Sequence, residues 1–463
     1  MTVSNVRGRA RPMRALIATL VLGAFAPILD TTMLTIAVHT LVVDLHTDVA
    51  SIQWVSTAYL LALVVTIPLC GWLDARLGGR RLWLAALVVF AAGSALCALS
   101  WSPMSLIVFR TVQGAAAGVL MTNMQTIAVR AAGAGSVARV TAALGVPIAL
   151  GPLIGPVLGG ALLHWADWRW MFAINVPLCA LAVVAALRVL PDDAPVRGDA
   201  VPPLDRTGLA LLAPGIVLTF YGLAELAGGG TSGVLLLVVA GAVLIAAFGV
   251  HALRVGDRAL VRVRLLRVPT VAAATSAGLV VGGALMGTMF LLPLYWQTVR
   301  GDGALTTALL LMPQAVGALA PRFFVGGLVD RFGPRPVAVS ALALMAVATV
   351  PFAFVTAATN PVVLALVLFV RGLGLGAVLV PILSSAYTGL SRDQFPHASM
   401  FTRGAQQLGG AIGVAAVAVV LQAGLAHSSA ESALHPAFWV MAAVTALGVV
   451  PALRLPGRAD RTG

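Results

Sequence analysis

The sequence predicts an all-α, polytopic membrane protein. Fourteen transmembrane helices are expected, as two six-helix bundles with two further helices inserted between them. Three observations carry this. Hydrophobic residues make up 60% of the 463 residues and charged residues only 10%, whereas a soluble domain carries about a quarter charged. Apolar runs of about 18 residues or more recur along the chain, each able to cross a hydrocarbon core of roughly 30 Å. Spanning β-strands would run about 10 residues and alternate in polarity, and these runs do neither. The chain also repeats itself. GWLDARLGGRR (Gly71–Arg81) returns as GGLVDRFGPRP (Gly326–Pro336), and VFRTVQGAAAG (Val108–Gly118) returns as LFVRGLGLGAV (Leu368–Val378), both at offsets of 255–261 residues. Closely similar offsets imply two homologous halves, the design of many secondary transporters.

In chain order, the apolar runs place helices at roughly 15–38, 52–73, 82–101, 104–128, 137–163, 169–189, 207–227, 233–253, 270–298, 305–328, 336–357, 361–389, 398–424 and 436–454. The domain reading is a cytoplasmic tail at 1–14, a first bundle at 15–190 and a cytoplasmic linker at 191–206. Inserted helices seven and eight follow at 207–254, then a second bundle at 268–456 and a tail at 457–463. The linker is rich in proline and aspartate. Basic residues precede the first apolar run, as in a signal peptide, but that run is too long for one and contains Asp30, so it is read as a retained span.

The net charge is +13, and every basic residue is arginine, for the chain has no lysine. The arginines form short clusters between apolar runs rather than one patch, which excludes a nucleic-acid surface and matches topology signals. Roughly two dozen fall in one set of loops, against only Arg169 and Arg300 in the other. Both termini are therefore expected in the cytoplasm, in a multi-pass protein of the cell (inner) membrane. Without lysine the chain cannot form a phosphate-binding G-x-x-x-x-G-K-[ST] loop. No cofactor and no metal are expected, and no loop is large enough for an enzyme. Cys70, Cys97 and Cys179 lie inside apolar runs and are read as core residues.

ILDTTMLTIAV (Ile28–Val38) sets a carboxylate and hydroxyls into an oily run. A charged acid at mid-bilayer costs several kcal/mol unless it is paired or hydrated, so Asp30 is a functional expectation by default. Counted along their helices, Asp30 lies roughly 22 Å from the inner end of span one and Arg110 roughly 10 Å below the outer end of span four. The two come out at similar depth. Thr31, Thr32 and Thr35 could add hydroxyl partners, and Gln113 lies one turn from Arg110. Paired, the acid stays ionised; desolvated and unpaired, it takes a proton. That makes Asp30 either a proton carrier or half of a static ion pair. Glu225 is either a second proton site or a solvated helix end. Arg371 repeats Arg110 without an acid to match Asp30, and its expected partners are helix ends or Gln406 and Gln407. Arg322 is expected to snorkel to the inner face.

In the Gly71–Arg81 loop, Gly71 and Gly78 allow a tight turn. Asp74 can pair with Arg76, Arg80 or Arg81 or with a helix N-terminus, and so latch one end of the bundles. Asp330 and Arg331 stand in the second copy. The fifth span alternates Gly145, Gly151, Gly155 and Gly159 with Pro147, Pro152 and Pro156. Such a helix is bent and offers a close-packing groove. Tyr59, Met121, Met124, Met286, Met289, Phe290 and Tyr295 are the expected lining of a substrate cavity, since methionine and aromatic side chains adapt to varied apolar ligands.

These stretches resemble the major facilitator superfamily. GWLDARLGGRR is similar to its loop motif and RTVQGAAAG to its fourth-helix motif. LGVPIALGPLIGPVLGG (Leu144–Gly160) resembles the fifth-helix motif of its drug:proton antiporters. WRWMFAINVP (Trp168–Pro177) and ILDTTMLTIAV resemble stretches of the fourteen-span antiporter subfamily. Two departures stand out. Asp74 sits one residue before the position where the family loop carries its acid, here Ala75. Thr35 and His39 stand where Asn and Pro are usual. The resemblance implies a major-facilitator fold and proton-coupled export of small amphipathic compounds, as in drug or antibiotic efflux. The cavity would be lined by helices one, two, four and five of each half. Expected partners are a small-molecule substrate, protons and the lipid bilayer, with a monomer as the working unit. An importer, uniporter or lipid flippase of the same fold is the first alternative, and a non-transporting receptor or assembly subunit the second.

Overall fold

A computed structural model describes residues 13–47, 49–132, 137–191, 204–227, 232–302, 304–391 and 394–457. The N-terminal part builds α1 (Met13–Asp44), α2 (Val49–Thr66), α3 (Cys70–Leu77), α4 (Gly79–Ala98), α5 (Pro103–Ala132), α6 (Val137–Trp165), α7 (Arg169–Ala173) and α8 (Asn175–Val189). Then come α9 (Arg206–Ala227) and α10 (Ser232–Val255), which pack on each other. The C-terminal part builds α11 (Pro269–Leu294), α12 (Ala304–Leu319), α13 (Val325–Phe332), α14 (Pro334–Thr349), α15 (Pro361–Ser385), α16 (Phe395–Leu425), α17 (Ala430–Leu447) and α18 (Val449–Ala452).

Among the described residues, twelve helices are long and apolar enough to cross a membrane. A thirteenth is added if Leu309–Phe323 and Val325–Phe332, bent by 50° at their break, count as one span. The count therefore falls short of fourteen on these helices. The remaining helix, α6, is continuous over 29 residues, but several of its side chains, among them those of Pro147, Pro152 and Pro156, lie outside the described set. The side chain of Thr35 does too.

Two expected single helices are broken where proline removes a backbone donor. The second span runs α2, a 3-10 turn Ile67–Leu69 containing Pro68, then α3. The tenth runs α12, a 3-10 turn Ala320–Phe323 containing Pro321, then α13. Each ends in the same device. Gly78 turns α3 into α4 with φ 80°, and Gly333 turns α13 into α14 with φ 85°. Only glycine takes that conformation without steric cost. Gly71, read above as a second turn residue, instead lies inside α3, and a Cβ there would meet the ring of His397 at 3.1 Å.

Apolar packing follows the two sets of helices. One cluster joins Leu20 and Ala24 of α1, Trp83 and Phe90 of α4, Leu120 of α5 and Cys179 of α8. Another joins Ala277 of α11, Met345 of α14, Ile382 of α15 and Ala452 of α18. Glycine sets the closest approaches. At Gly114 on α5, a Cβ would overlap the backbone carbonyl of Tyr59 on α2. Backbone cannot step aside as a side-chain tip can. Gly114→Ala is therefore expected to cost about 1–3 kcal/mol through overpacking, read as a lower thermal midpoint in detergent. An unchanged midpoint would mean that this contact yields.

The α9–α10 hairpin is anchored at its base by Asp205. Its carboxylate accepts from the Gly208 amide at 2.7 Å, from His251 Nε2 at 2.9 Å and from the Leu260 amide at 3.1 Å. Burial pushes the acid's pKa up, but these donors outweigh burial and hold it below the ordinary carboxylate value. The hairpin touches both sets of helices. Leu212 and Ile216 of α9 and Phe248 and Ala252 of α10 share one cluster with Val64 of α2 and Met400 of α16.

The two sets also meet on the face that carries the Gly78 and Gly333 turns. Arg403 of α16 donates to Gln125 Oε1 of α5 through Nη2 at 2.8 Å and Nε at 3.2 Å. Val129 of α5 packs with Tyr387 and Ala398. A Cβ at Gly145 of α6 would overlap the guanidinium of Arg322.

Candidate functional site

Midway along α1, Pro27 stands three residues before Asp30, and Asp30 faces inward at 2% exposure. Arg110 on α5 is 1% exposed and donates through Nη1 to Asp30 Oδ2. The same Nη1 donates to Gln113 Oε1 at 2.8 Å. Gln113 Nε2 donates to Asp30 Oδ1 at 3.2 Å and to Ser94 Oγ of α4 at 3.0 Å. Asn175, the first residue of α8, donates to Asp30 Oδ1 at 3.1 Å and to Ser94 Oγ at 3.0 Å. Ser94 Oγ in turn donates to the Phe172 carbonyl at 2.9 Å. Arg110 is stacked over the Tyr59 ring, 4.1 Å from its centroid, and its Nε reaches the Val55 carbonyl at 3.4 Å. Helices α1, α5 and α8 thus meet at one carboxylate, which accepts three hydrogen bonds, and α4 supports the two amides through Ser94. A buried charge persists only with such partners.

Sequence reasoning found Asp30, Arg110 and Gln113. It missed Asn175, although WRWMFAINVP shows an amide inside an apolar run, and it missed Ser94. It also placed Tyr59 in a substrate cavity, whereas the ring is fully buried against Arg110. Asn175→Ala removes one donor from Asp30 and one from Ser94. About 1–2 kcal/mol of support for the ionised carboxylate should go, and the pH dependence of activity should move to the alkaline side. An unmoved profile would make Asn175 mere packing.

Several expected contacts are replaced by others. Thr31 and Thr32 do not face the acid as hydroxyl donors: Thr31 Oγ1 donates to the Pro27 carbonyl at 2.8 Å and Thr32 Oγ1 to the Ile28 carbonyl at 2.9 Å. Helical geometry offers them a carbonyl one turn back. Asp74 takes its partner from outside its loop. Arg130 of α5 clamps it with Nη1–Oδ1 at 3.1 Å and Nη2–Oδ2 at 2.6 Å. Arg80 donates to the Leu187 carbonyl at 2.9 Å, Arg76 lies over the Trp72 ring, and Arg81 is exposed. Asp330 is exposed, and Arg331 lies over the Phe332 ring. Arg371 bonds neither Gln406 nor Gln407. Its Nε donates to Thr349 Oγ1 at 3.1 Å and its Nη1 to Gln314 Oε1 at 2.8 Å. Arg322 does not snorkel, being 9% exposed.

The glycine face of α6 lies along α1 at the level of the acid. A Cβ at Gly151 would overlap Ile28, one at Gly155 would overlap Thr32, and one at Gly159 would meet Met33 at 3.3 Å. Met286 and Met289 are exposed on α11, and Met121 and Phe290 are partly buried. Met124 and Tyr295 are sealed in packed clusters, with Tyr295 Oη donating to the Thr356 carbonyl at 2.9 Å. Glu225 is partly exposed near the end of α9, close to where Tyr221 stacks on Trp54. Among the described residues no group of His, Cys, Asp and Glu could hold a metal.

A family model described as Major Facilitator Superfamily matches residues 20–414. A "Multidrug resistance protein B homolog" of Mycobacterium tuberculosis (strain ATCC 25618 / H37Rv) is 34% identical over 413 residues, covering 88% of this chain and 76% of that protein. A "Putative multidrug resistance protein MdtD" of Serratia proteamaculans (strain 568) is 30% identical over 355 residues, covering 76% and 73%. The structure of the proton:xylose symporter XylE bound to 6-bromo-6-deoxy-D-glucose is similar in fold. It superposes with a TM-score of 0.66 at 15% identity, over 95% of this chain and 94% of that one.

Proposed function

The chain belongs to the Major Facilitator Superfamily and is a multi-pass membrane transporter rather than an enzyme, and from that premise we propose that it exports small amphipathic compounds, such as drugs or antibiotics, in exchange for protons. The observation that carries this reading is the Asp30–Arg110–Gln113–Asn175 network, buried where α1, α5 and α8 cross. An acid held ionised by three donors in one arrangement of helices would accept a proton in another that draws those donors away. Alternation between the two couples the proton gradient to the swing, and no cofactor is needed. The names of the M. tuberculosis and Serratia relatives favour drug export. The glycine face of α6 on α1 supports an antiporter, because a tightly apposed helix can seal the path beside the acid during the swing.

The architecture proposed with it has fourteen spans. The twelve helices are joined by the bent α12–α13 pair and by α6, whose 29 residues reach roughly 43 Å at 1.5 Å each. Residues 15–190 and 268–456 form the two bundles and 207–254 the inserted pair. The arginine bias sets the face of the Gly78 and Gly333 turns, and both termini, in the cytoplasm of an inner-membrane protein working as a monomer. On that orientation the Arg403–Gln125 contact ties the two bundles at their cytoplasmic end, and the Asp74–Arg130 clamp braces the loop within the first bundle. Glu225 is the reserve proton site, and Met121, Met286, Met289 and Phe290 are the cavity residues best placed for substrate.

The test is uptake of a compound panel into inverted vesicles with an imposed proton gradient. Export predicts gradient-driven accumulation and dissipation of the gradient on addition of substrate. Accumulation only into right-side-out vesicles would instead make the protein an importer.

A further inference from the structure

Charge inside the spans is unevenly matched. The buried acids among the described residues are Asp30 and Asp74, and each already faces an arginine, Arg110 and Arg130 respectively. Arg322 and Arg371 are also buried, and no described carboxylate pairs with either. Arg403 is partly buried and donates to the neutral oxygen of Gln125. The surroundings of Arg322 and Arg403 adjoin, since Leu144 of α6, next to Gly145, packs in one cluster with Met124 of α5, next to Gln125. They meet where the two sets of helices join, with Arg322 against Gly145 of α6 and Arg403 against Gln125 of α5.

Polar groups around them are left over. Arg322 Nε and Gln125 Nε2 are buried without a hydrogen-bond partner among the described residues, and the hydroxyls of Tyr387 and Ser399 are buried nearby. Buried donors without acceptors are costly, and they gather here beside two like charges. One ligand chemistry relieves all of this at once. An oxyanion accepts from guanidinium, amide and hydroxyl donors and balances the two like charges. A cation would add a further like charge, and the Asp30 carboxylate, closed off by its three donors, does not stand ready to receive it.

We propose that Arg322 and Arg403 form an anion subsite at the junction of the two sets of helices, and that the transported compounds are amphiphiles bearing a carboxylate, sulfonate or phosphate group. This rests on the transporter reading above and adds the charge of the substrate. It also fits the energetics of exchange. An anion leaving the cell and a proton entering both move positive charge inward, so the membrane potential favours both.

Two xanthene dyes of similar size separate the signs: anionic carboxyfluorescein and cationic rhodamine 6G. Binding to the purified protein is read by fluorescence anisotropy, and transport by uptake into inverted vesicles under a proton gradient. Carboxyfluorescein should bind and accumulate. Arg322→Gln and Arg403→Gln should each weaken its binding by about tenfold or more, and Arg403→Lys should restore part of it, because the charge returns without the fork. Thermal unfolding monitors whether each variant is folded. Binding of rhodamine 6G alone overturns the charge assignment, and so does carboxyfluorescein binding that Arg403→Gln leaves unchanged. Absence of binding by both dyes also overturns the subsite, whatever the vesicles show. Carboxyfluorescein binding without gradient-driven uptake keeps the subsite and sinks the export reading, so the two failures are distinct. NBD-labelled phosphatidylglycerol in a flipping assay then tells an anionic lipid from a soluble anion as the source of the group.

Discussion

Asp30→Asn abolishes proton-driven export while the protein still inserts and folds. The substitution keeps the shape and one acceptor oxygen but can neither ionise nor carry a proton. The network cushions the loss of charge. Arg110 keeps its bond to Gln113 Oε1, its reach to the Val55 carbonyl and its stacking over Tyr59. The stability cost should therefore sit at or below about 3 kcal/mol, the lower end for breaking a buried pair. Two measurements on inverted vesicles separate the effects. Uptake against a concentration gradient, driven by an imposed pH difference, should vanish, and downhill counterflow of preloaded substrate should persist. Should the variant still concentrate substrate, Asp30 is not the carrier and Glu225 becomes the group to test.

Arg110→Ala is expected to be the most damaging change to the site. It strips Asp30 Oδ2 of its charged donor and leaves only the amides of Gln113 and Asn175 on Oδ1. It also opens a void beside Tyr59. Leaving one member of a buried ion pair alone costs about 3–5 kcal/mol. Protonation is the cheapest escape from an unpaired buried carboxylate, so release of the proton becomes the slow step. Transport should fall steeply at neutral pH and recover only toward alkaline pH. Arg110→Lys restores charge without the planar fork that spans Asp30 and Gln113, so it should recover the pH profile better than the maximal rate. A profile that stays in place in Arg110→Ala would disprove the electrostatic role of the pair.

What could be read in the sequence was whatever depends on position along one helix. The apolar runs gave nearly every helix, because hydrocarbon thickness sets a length that composition reveals. The depth count brought Asp30 level with Arg110, and Gln113 follows from helical spacing. What escaped depends on how helices rotate against each other. Arg130 is more than fifty residues from Asp74, and no loop pattern points to it. Asn175 reaches Asp30, and Ser94 reaches the two amides that hold it, only because α8 and α4 turn those faces inward. Thr31 and Thr32 looked like partners for the acid, but a hydroxyl in a helix finds the carbonyl one turn back first. Proline explains the spans interrupted at Pro68 and Pro321, yet the site and 50° angle of the α12–α13 break follow from packing around Pro321 as well as from its position.

The α9–α10 hairpin carries one more consequence. It rests on α2 from one set of helices and on α16 from the other, in a single apolar cluster. A strip fastened to both covers of a book acts as a spine. The covers part on the free edge, and the spine itself stays shut. A molecule dissolved in the surrounding lipid therefore meets a closed wall on the hairpin side, and sideways access to the interior is left to the opposite seam.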